Sequence, residues 1–251
     1  MANDQFKLNV NRDTVAAVSN LWNDGQLQTW VETFALAGES TAPLAQLELE
    51  GARGETLHAT RFDGDRVYVV TFRQVDPLFV VDLADPSQPK LTAALEIPGW
   101  STYLHPMGDR LLAVGVESGR VTVSLFDVAD LSAPKLLSRK YLGVEGTWSW
   151  SEANYDEKAV EFSEDSGVVL VPFQQWGSSG VEGFLQLVQV GRDDLTLGVA
   201  VAHRDQARRG AVIGENVVSI SGQELLVSAK DGSDAKPLAL SLIHISEPTR
   251  P

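Results

Sequence analysis

Gly64-Asp65-Arg66 opens the run VYVVTF, which is followed by LFVVD and the turn Asp85-Pro86-Ser87-Gln88-Pro89-Lys90-Leu91. Gly108-Asp109-Arg110 opens LLAVGV, followed by VSLFD and Asp130-Leu131-Ser132-Ala133-Pro134-Lys135-Leu136. The two copies are offset by 44 residues at the glycines and by 45 between Asp82 and Asp127. A repeat of this length constrains the fold more than any single residue can. Each copy must be one supersecondary unit whose apolar faces are covered only by its neighbours, so the copies have to stack.

The short runs are rich in Val, Leu, Phe and Tyr and are bounded by Gly, Asp, Asn and Pro, which is strand chemistry, and helical periodicity is nowhere sustained. Anchoring on the second strand of each copy finds five registers: residues 13–19, 65–72, 109–116, 167–173 and 215–221. The turns agree with this reading. Glycine stands where a tight hairpin needs positive φ, Asp85-Pro86 supplies an Asp at the first turn position and a Pro with its φ already set, and Pro89 and Pro134 open outer strands, where a lost N–H costs least. The expectation is an all-β β-propeller of roughly four to five four-stranded blades, belonging to a larger ring. Residues 1–239 are read as that domain, cut at both ends.

The final stretch, residues 240–251, resembles the translation of a transposase-type sequencing adapter running on from a gene fragment. His244 is therefore set aside as a candidate ligand. At the other end FKLNVNRDTVAAVS begins directly as the inside of a blade. Residues 1–20 contain neither a basic segment nor an apolar one of signal-peptide type, and no apolar run is long enough to span a membrane.

Composition narrows the function classes. The formal charge of −14 repels phosphate backbones, so nucleic acid is not an expected partner. Zero cysteines exclude disulfides, thiolate metal sites and cysteine nucleophiles. The sequence has no P-loop, dinucleotide fingerprint, nucleophile elbow, HExxH or EF-hand loop, and no cofactor or metal is expected.

At RFDGDRVYVVTFRQVDPLFVVDLADPSQPKL, IPGWSTYLHPMGDRLLAVGVESG, VSLFDVADLSAPKL and WSWSEANYDEKAVEF the chain resembles a family of bacterial and archaeal secreted proteins with a C-terminal β-propeller domain. The likeness runs over roughly residues 50–175. A looser likeness is to the LxVVDvsDPsxP repeats of cell-surface propellers and adhesion-like proteins. These resemblances imply an extracellular or envelope-attached location, export segments upstream of this chain, and no established catalytic activity.

Two groups of residues are candidates for binding. His58 and His105 lie on the strand before each GDR turn, the strand expected to line a central channel. Together with Arg61, Tyr103, Asp156 and Lys158 they would form a polar funnel at a channel mouth. The simpler reading is that these groups satisfy buried backbone and water, and two histidines without a defined third ligand are weak evidence for zinc. The second group lies in an insertion, since Gly108 to Gly167 is 59 residues rather than 44. Its Trp148, Trp150, Glu152 and Asn154, with Trp176 on a nearby hairpin tip, would make a carbohydrate platform of aromatic faces and hydrogen-bonding groups. The simpler reading packs Trp148 and Trp150 between blades. Asp63-Gly64-Asp65 reads as a hairpin turn rather than a cation loop, Arg73 and Asp76 as a pair across their hairpin, and His203 as the third native histidine.

The expected function is a non-catalytic binding scaffold recognising a protein or a glycan. The alternative is a hydrolase or quinoprotein-like enzyme with its site at the channel mouth, which requires acids or histidines from several blades to converge.

Overall fold

The computed structural model describes residues 5–37, 40–72, 76–177, 180–231 and 239–242. They form five antiparallel sheets in sequence order. The first holds β1 (Leu8–Asn11), β2 (Thr14–Asn23), β3 (Gln26–Ala37) and β4 (Ser40–Glu48), and the second β5 (Thr56–Asp63), β6 (Arg66–Phe72), β7 (Asp76–Asp82) and β8 (Lys90–Ile97). The third holds β9 (Trp100–Met107), β10 (Arg110–Glu117), β11 (Arg120–Asp127) and β12 (Lys135–Tyr141). The fourth holds β13 (Ser149–Trp150), β14 (Glu161–Ser163), β15 (Val168–Gly177), β16 (Gly180–Val190) and β17 (Leu195–His203). The fifth holds β18 (Ala207–Ile213), β19 (Asn216–Ser221), β20 (Glu224–Ala229) and β21 (Ala239–Leu242). The second strands β2, β6, β10, β15 and β19 begin within a residue of the five expected registers. β21 extends into the first residues of the segment read as foreign, and Arg73 and His244 lie outside the described residues.

The repeat is a repeat of hydrogen bonds. Asp85 Oδ1 accepts from Ser87 N at 3.0 Å and Ser87 Oγ at 2.6 Å, and Asp130 Oδ1 accepts from Ser132 N at 2.9 Å and Ser132 Oγ at 2.6 Å. These bonds, the hydroxyl's first, hold both carboxyls below their usual range. Asp82 and Asp127 each accept a backbone N–H two residues on, from Ala84 at 2.9 Å and Ala129 at 3.0 Å. The turn is thus built by Asx-type side-chain bonds, which is why Asp and Ser recur at these offsets. Gly64 and Gly108 have φ of +56° and +65°, where a side chain would be strained even though nothing lies within contact of an added Cβ.

The chain divides into two compact units, one of residues 1–117 with 125–137 and the other of 118–124 with 138–251. In the first, Tyr68, Val70, Leu78, Val80, Leu111 and Phe126 form a buried cluster, and Val31, Leu49, Val67, Phe79 and Val81 form a second. In the other unit Leu170, Leu185, Leu187, Val201, Val217 and Leu226 pack together. β6, β10, β11 and β15 read as continuous apolar runs and are buried on both faces, whereas β2 and β19 alternate buried with partly exposed residues.

The insertion differs from the expected loop between blades. It breaks the first strand of the fourth sheet in two: β13 pairs with Gln174–Gln175 of β15, and β14 pairs with Val168–Leu170 of the same strand. Between them the chain leaves the sheet through two single 3-10 turns, Glu152–Asn154 and Glu157–Ala159. Ser151 and Asp156 cap them by accepting the backbone N–H groups of Ala153 and Lys158. The 173–180 segment also differs. β15 and β16 stay paired out to Gly177 and Gly180, so Trp176 stands on a strand opposite Val181 rather than on an irregular tip.

Candidate functional site

In the unit of residues 1–117 and 125–137, the expected funnel residues stand on the first strands of their sheets. His58 on β5 is half-buried, edge-on to Phe72 at 5.7 Å and tilted against Trp100 at 5.4 Å. Burial, and then the charge of Lys7, push its pKa down. Arg61 donates to Leu104 O at 2.7 Å and lies over the rings of Phe6 at 4.6 Å and Tyr103 at 5.8 Å. Tyr103 and His105 stack at 6.3 Å, with the phenol 3.3 Å from Nδ1. Arg61, Tyr103 and His105 are thus engaged with one another and with the backbone, and His58 with two aromatic rings.

The same unit has a crevice of about 230 Å³ beside the GDR turn, with Asn11, Arg12 and Asp65 among its walls. Asn11 Nδ2 donates to Asp65 Oδ1 at 2.8 Å, and Asp63 is paired with Arg66 at 2.7 Å. The two turn carboxylates therefore hold protein groups. Among the described residues no group of three or more His, Asp and Glu is placed to hold a metal ion.

Asp156 and Lys158 belong to the other unit and lie on a 3-10 turn, not on a strand. The Asp156 carboxylate caps that turn and pairs with Arg209. In this unit His203 Nε2 lies 2.9 Å from Ser219 Oγ, and Nδ1 lies 3.6 Å from Glu224 Oε1, an order of groups familiar from serine hydrolases. Ser219 is only 1% exposed and Glu224 also accepts from Arg204 N, so the constellation is closed to substrate and ties β17 to the fifth sheet. Burial lowers the His203 pKa against the opposing pull of Glu224 and Asp205.

The accessible chemistry of this unit lies on the interrupted strand. Trp148 is 58% exposed and Trp176 44% exposed, so the expected packing of Trp148 between blades does not occur. Its indole instead rests on Gly119, where any Cβ would strike the ring. Four rings run in single file. Trp176 meets Trp148 edge-on at 5.8 Å, Trp148 is parallel to Trp150 within 10° at 6.5 Å, and Trp150 meets Tyr155, itself 82% exposed, at 5.3 Å. The register explains the file. Trp150 faces Gln174 and Trp176 faces Val181, while strand alternation puts Trp148, Trp150, Gln174 and Trp176 on one side. Ser149, on the opposite side, anchors the strand by accepting Val121 N at 2.8 Å and donating to Leu142 O at 3.3 Å.

Two of the expected platform residues stand elsewhere. Glu152 accepts from Gln206 Nε2 at 2.8 Å, and Asn154 is 8% exposed inside its turn. Two others were missed. Gln174 shares a face with Trp176 by simple alternation in FQQW, a signal present in the sequence. Tyr155 follows the first 3-10 turn, and nothing in its spacing predicts contact with Trp150.

The sequence matches the family described as Beta propeller domain over residues 1–232, and the chain belongs to that family. It is a β-propeller of several four-stranded blades. Curated relatives include an uncharacterised protein of Archaeoglobus fulgidus, 43% identical over 124 residues, and one of Methanocaldococcus jannaschii, 41% identical over 123. These matches cover 49% and 48% of this chain and 19% of each relative, so the chain spans about a fifth of the length of the curated relatives it matches. Among solved structures, a provisionally assigned 6-phosphogluconolactonase of Bacteroides uniformis superposes with a TM-score of 0.54 at 13% identity, covering 94% of this chain and 83% of that one. At that identity the likeness is one of fold.

Proposed function

We propose that this domain is a non-catalytic recognition scaffold that engages a macromolecular partner, protein or glycan, outside the cell or at its envelope. The observation that carries the reading is the file of rings from Trp176 to Tyr155, in which Trp176, Trp148 and Tyr155 are exposed and Trp150 is half-buried. Apolar aromatic surface exposed in a continuous patch is unfavourable in water and marks a contact surface. It is also held in place, by Gly119 under Trp148 and by the Ser149 hydrogen bonds, so little ordering is needed on binding. The extracellular placement is supported by the family resemblance. The channel-mouth enzyme is the weaker reading, because the groups it would use are engaged in rings, caps and ion pairs.

The test is retention of the domain on insoluble cell-envelope preparations of bacterial and archaeal cells. The wild type should sediment with at least one preparation, and a Trp148→Ala/Trp176→Ala double variant should stay in solution with unchanged circular dichroism. Equal retention of the double variant would refute the reading.

A further inference from the structure

Resting on that recognition role, we infer that the aromatic file binds an uncharged, extended glycan chain, one sugar ring to each aromatic ring. Three observations lead there. The first is geometry. The rings follow one another at 5.3 to 6.5 Å, the spacing scale of successive pyranose rings in a polysaccharide, whereas a protein partner is met by a broad patch with a central pocket. The C–H face of a pyranose is apolar and electropositive, the complement of an indole face.

The second is the supply of polar handles. Gln174 lies directly across from Trp150 on the aromatic side, is half-buried, and its side-chain amide makes no hydrogen bond among the described residues. The Tyr155 hydroxyl at the end of the file is exposed. An amide that both donates and accepts, beside an aromatic face, suits a sugar hydroxyl.

The third is charge. The carboxylates around the file are already committed: Glu182 accepts from Gln175, Glu152 from Gln206, and Asp156 pairs with Arg209. The net charge of −14 opposes an anionic sugar.

The experiment is native affinity electrophoresis of the whole chain in gels containing glucan, mannan, xylan or galactan, with hyaluronan and alginate as anionic controls. Titration calorimetry with oligosaccharides of two to six units of any retarding polymer follows. At least one neutral polymer should retard the protein and the anionic ones should not. Affinity should climb with oligosaccharide length until the file is filled. Trp148→Ala and Trp176→Ala should each weaken binding roughly tenfold or more, the scale of a truncated aromatic anchor. Tyr155→Ala, at a site 82% exposed, is a second variant that does not threaten folding. Gln174→Ala should weaken binding less and unequally across sugars that differ in one hydroxyl. The inference is overturned if no neutral polymer retards the protein, if the Trp and Tyr variants bind as wild type, or if affinity is already maximal for a disaccharide. Periodate oxidation of the envelope preparations separates the two levels. If retention survives periodate but is lost in the Trp148→Ala/Trp176→Ala variant, the recognition role stands and the glycan inference falls; if that variant is retained, both fall.

Discussion

Replacing Tyr68 with Phe should make this protein more stable. Tyr68 is fully buried in the core of its unit, and its hydroxyl has no hydrogen-bond partner among the described residues. The same burial pushes its pKa up to about 12 from 10.0, against a smaller opposing effect of Arg66. A buried hydroxyl left without a partner costs about 1–3 kcal/mol of lost hydration. Tyr68→Phe removes that penalty and keeps the ring, with the Arg66 guanidinium 5.8 Å from its centre. The vacated space is about one probe sphere, ~10–15 Å³, which at ~24 cal/mol per Å³ costs roughly 0.3 kcal/mol. The net gain is about 0.7–2.7 kcal/mol, with a rise in Tm of about 2–4 °C per kcal/mol for a chain of this size. Denaturant unfolding followed by circular dichroism measures it. A second readout uses the sign of the linkage. A group whose pKa is raised by folding contributes stability that is present below pH 10 and lost as pH rises toward 12, and the variant should lack that alkaline loss. Destabilisation by 1 kcal/mol or more would show that the hydroxyl has a partner and would refute the reasoning.

Three further outcomes are expected. His58 and His203 are both held neutral by burial, so unfolding takes up protons below their ordinary value of 6.5, and stability should fall as pH drops from there toward their lowered pKa values; a flat thermal profile from pH 7 to 5 would contradict this. Gly115→Ala places a Cβ 2.0 Å from the Trp100 carbonyl oxygen at a bulge and should cost about 3 kcal/mol, whereas Gly108→Ala meets nothing and should cost about 1 kcal/mol for its positive φ; equal losses in urea unfolding would contradict the distinction. Ser149→Ala leaves the buried Val121 N–H unpaired and should lower stability by about 1–3 kcal/mol, weakening partner binding in proportion as the Trp148 and Trp150 strand loosens; full binding in a destabilised variant would separate the anchor from the rings.

The repeating turns were legible because their causes are local. Asp85, Asp130, Gly64 and Gly108 act on bonds and dihedrals within a few residues, so their chemistry appears at fixed offsets in the chain. The aromatic file was half legible. Trp148 and Trp150 two apart announced a shared face, but whether that face was covered depended on what stood opposite. Glu152 and Asn154 looked like ligand groups only while the 3-10 turn that holds them was unseen.

Sequence by itself determined the all-β class, the five strand registers and the blade-building turns, because alternation and turn chemistry are short-range. Only the tertiary structure decided which polar groups are spent and which are available. His203 and Glu224 come together from strands that share no local pattern, and Trp176 reaches Trp148 because an inserted segment splits one strand and returns it to β15. Long-range pairing sets burial, and burial decides whether a tryptophan is core or contact.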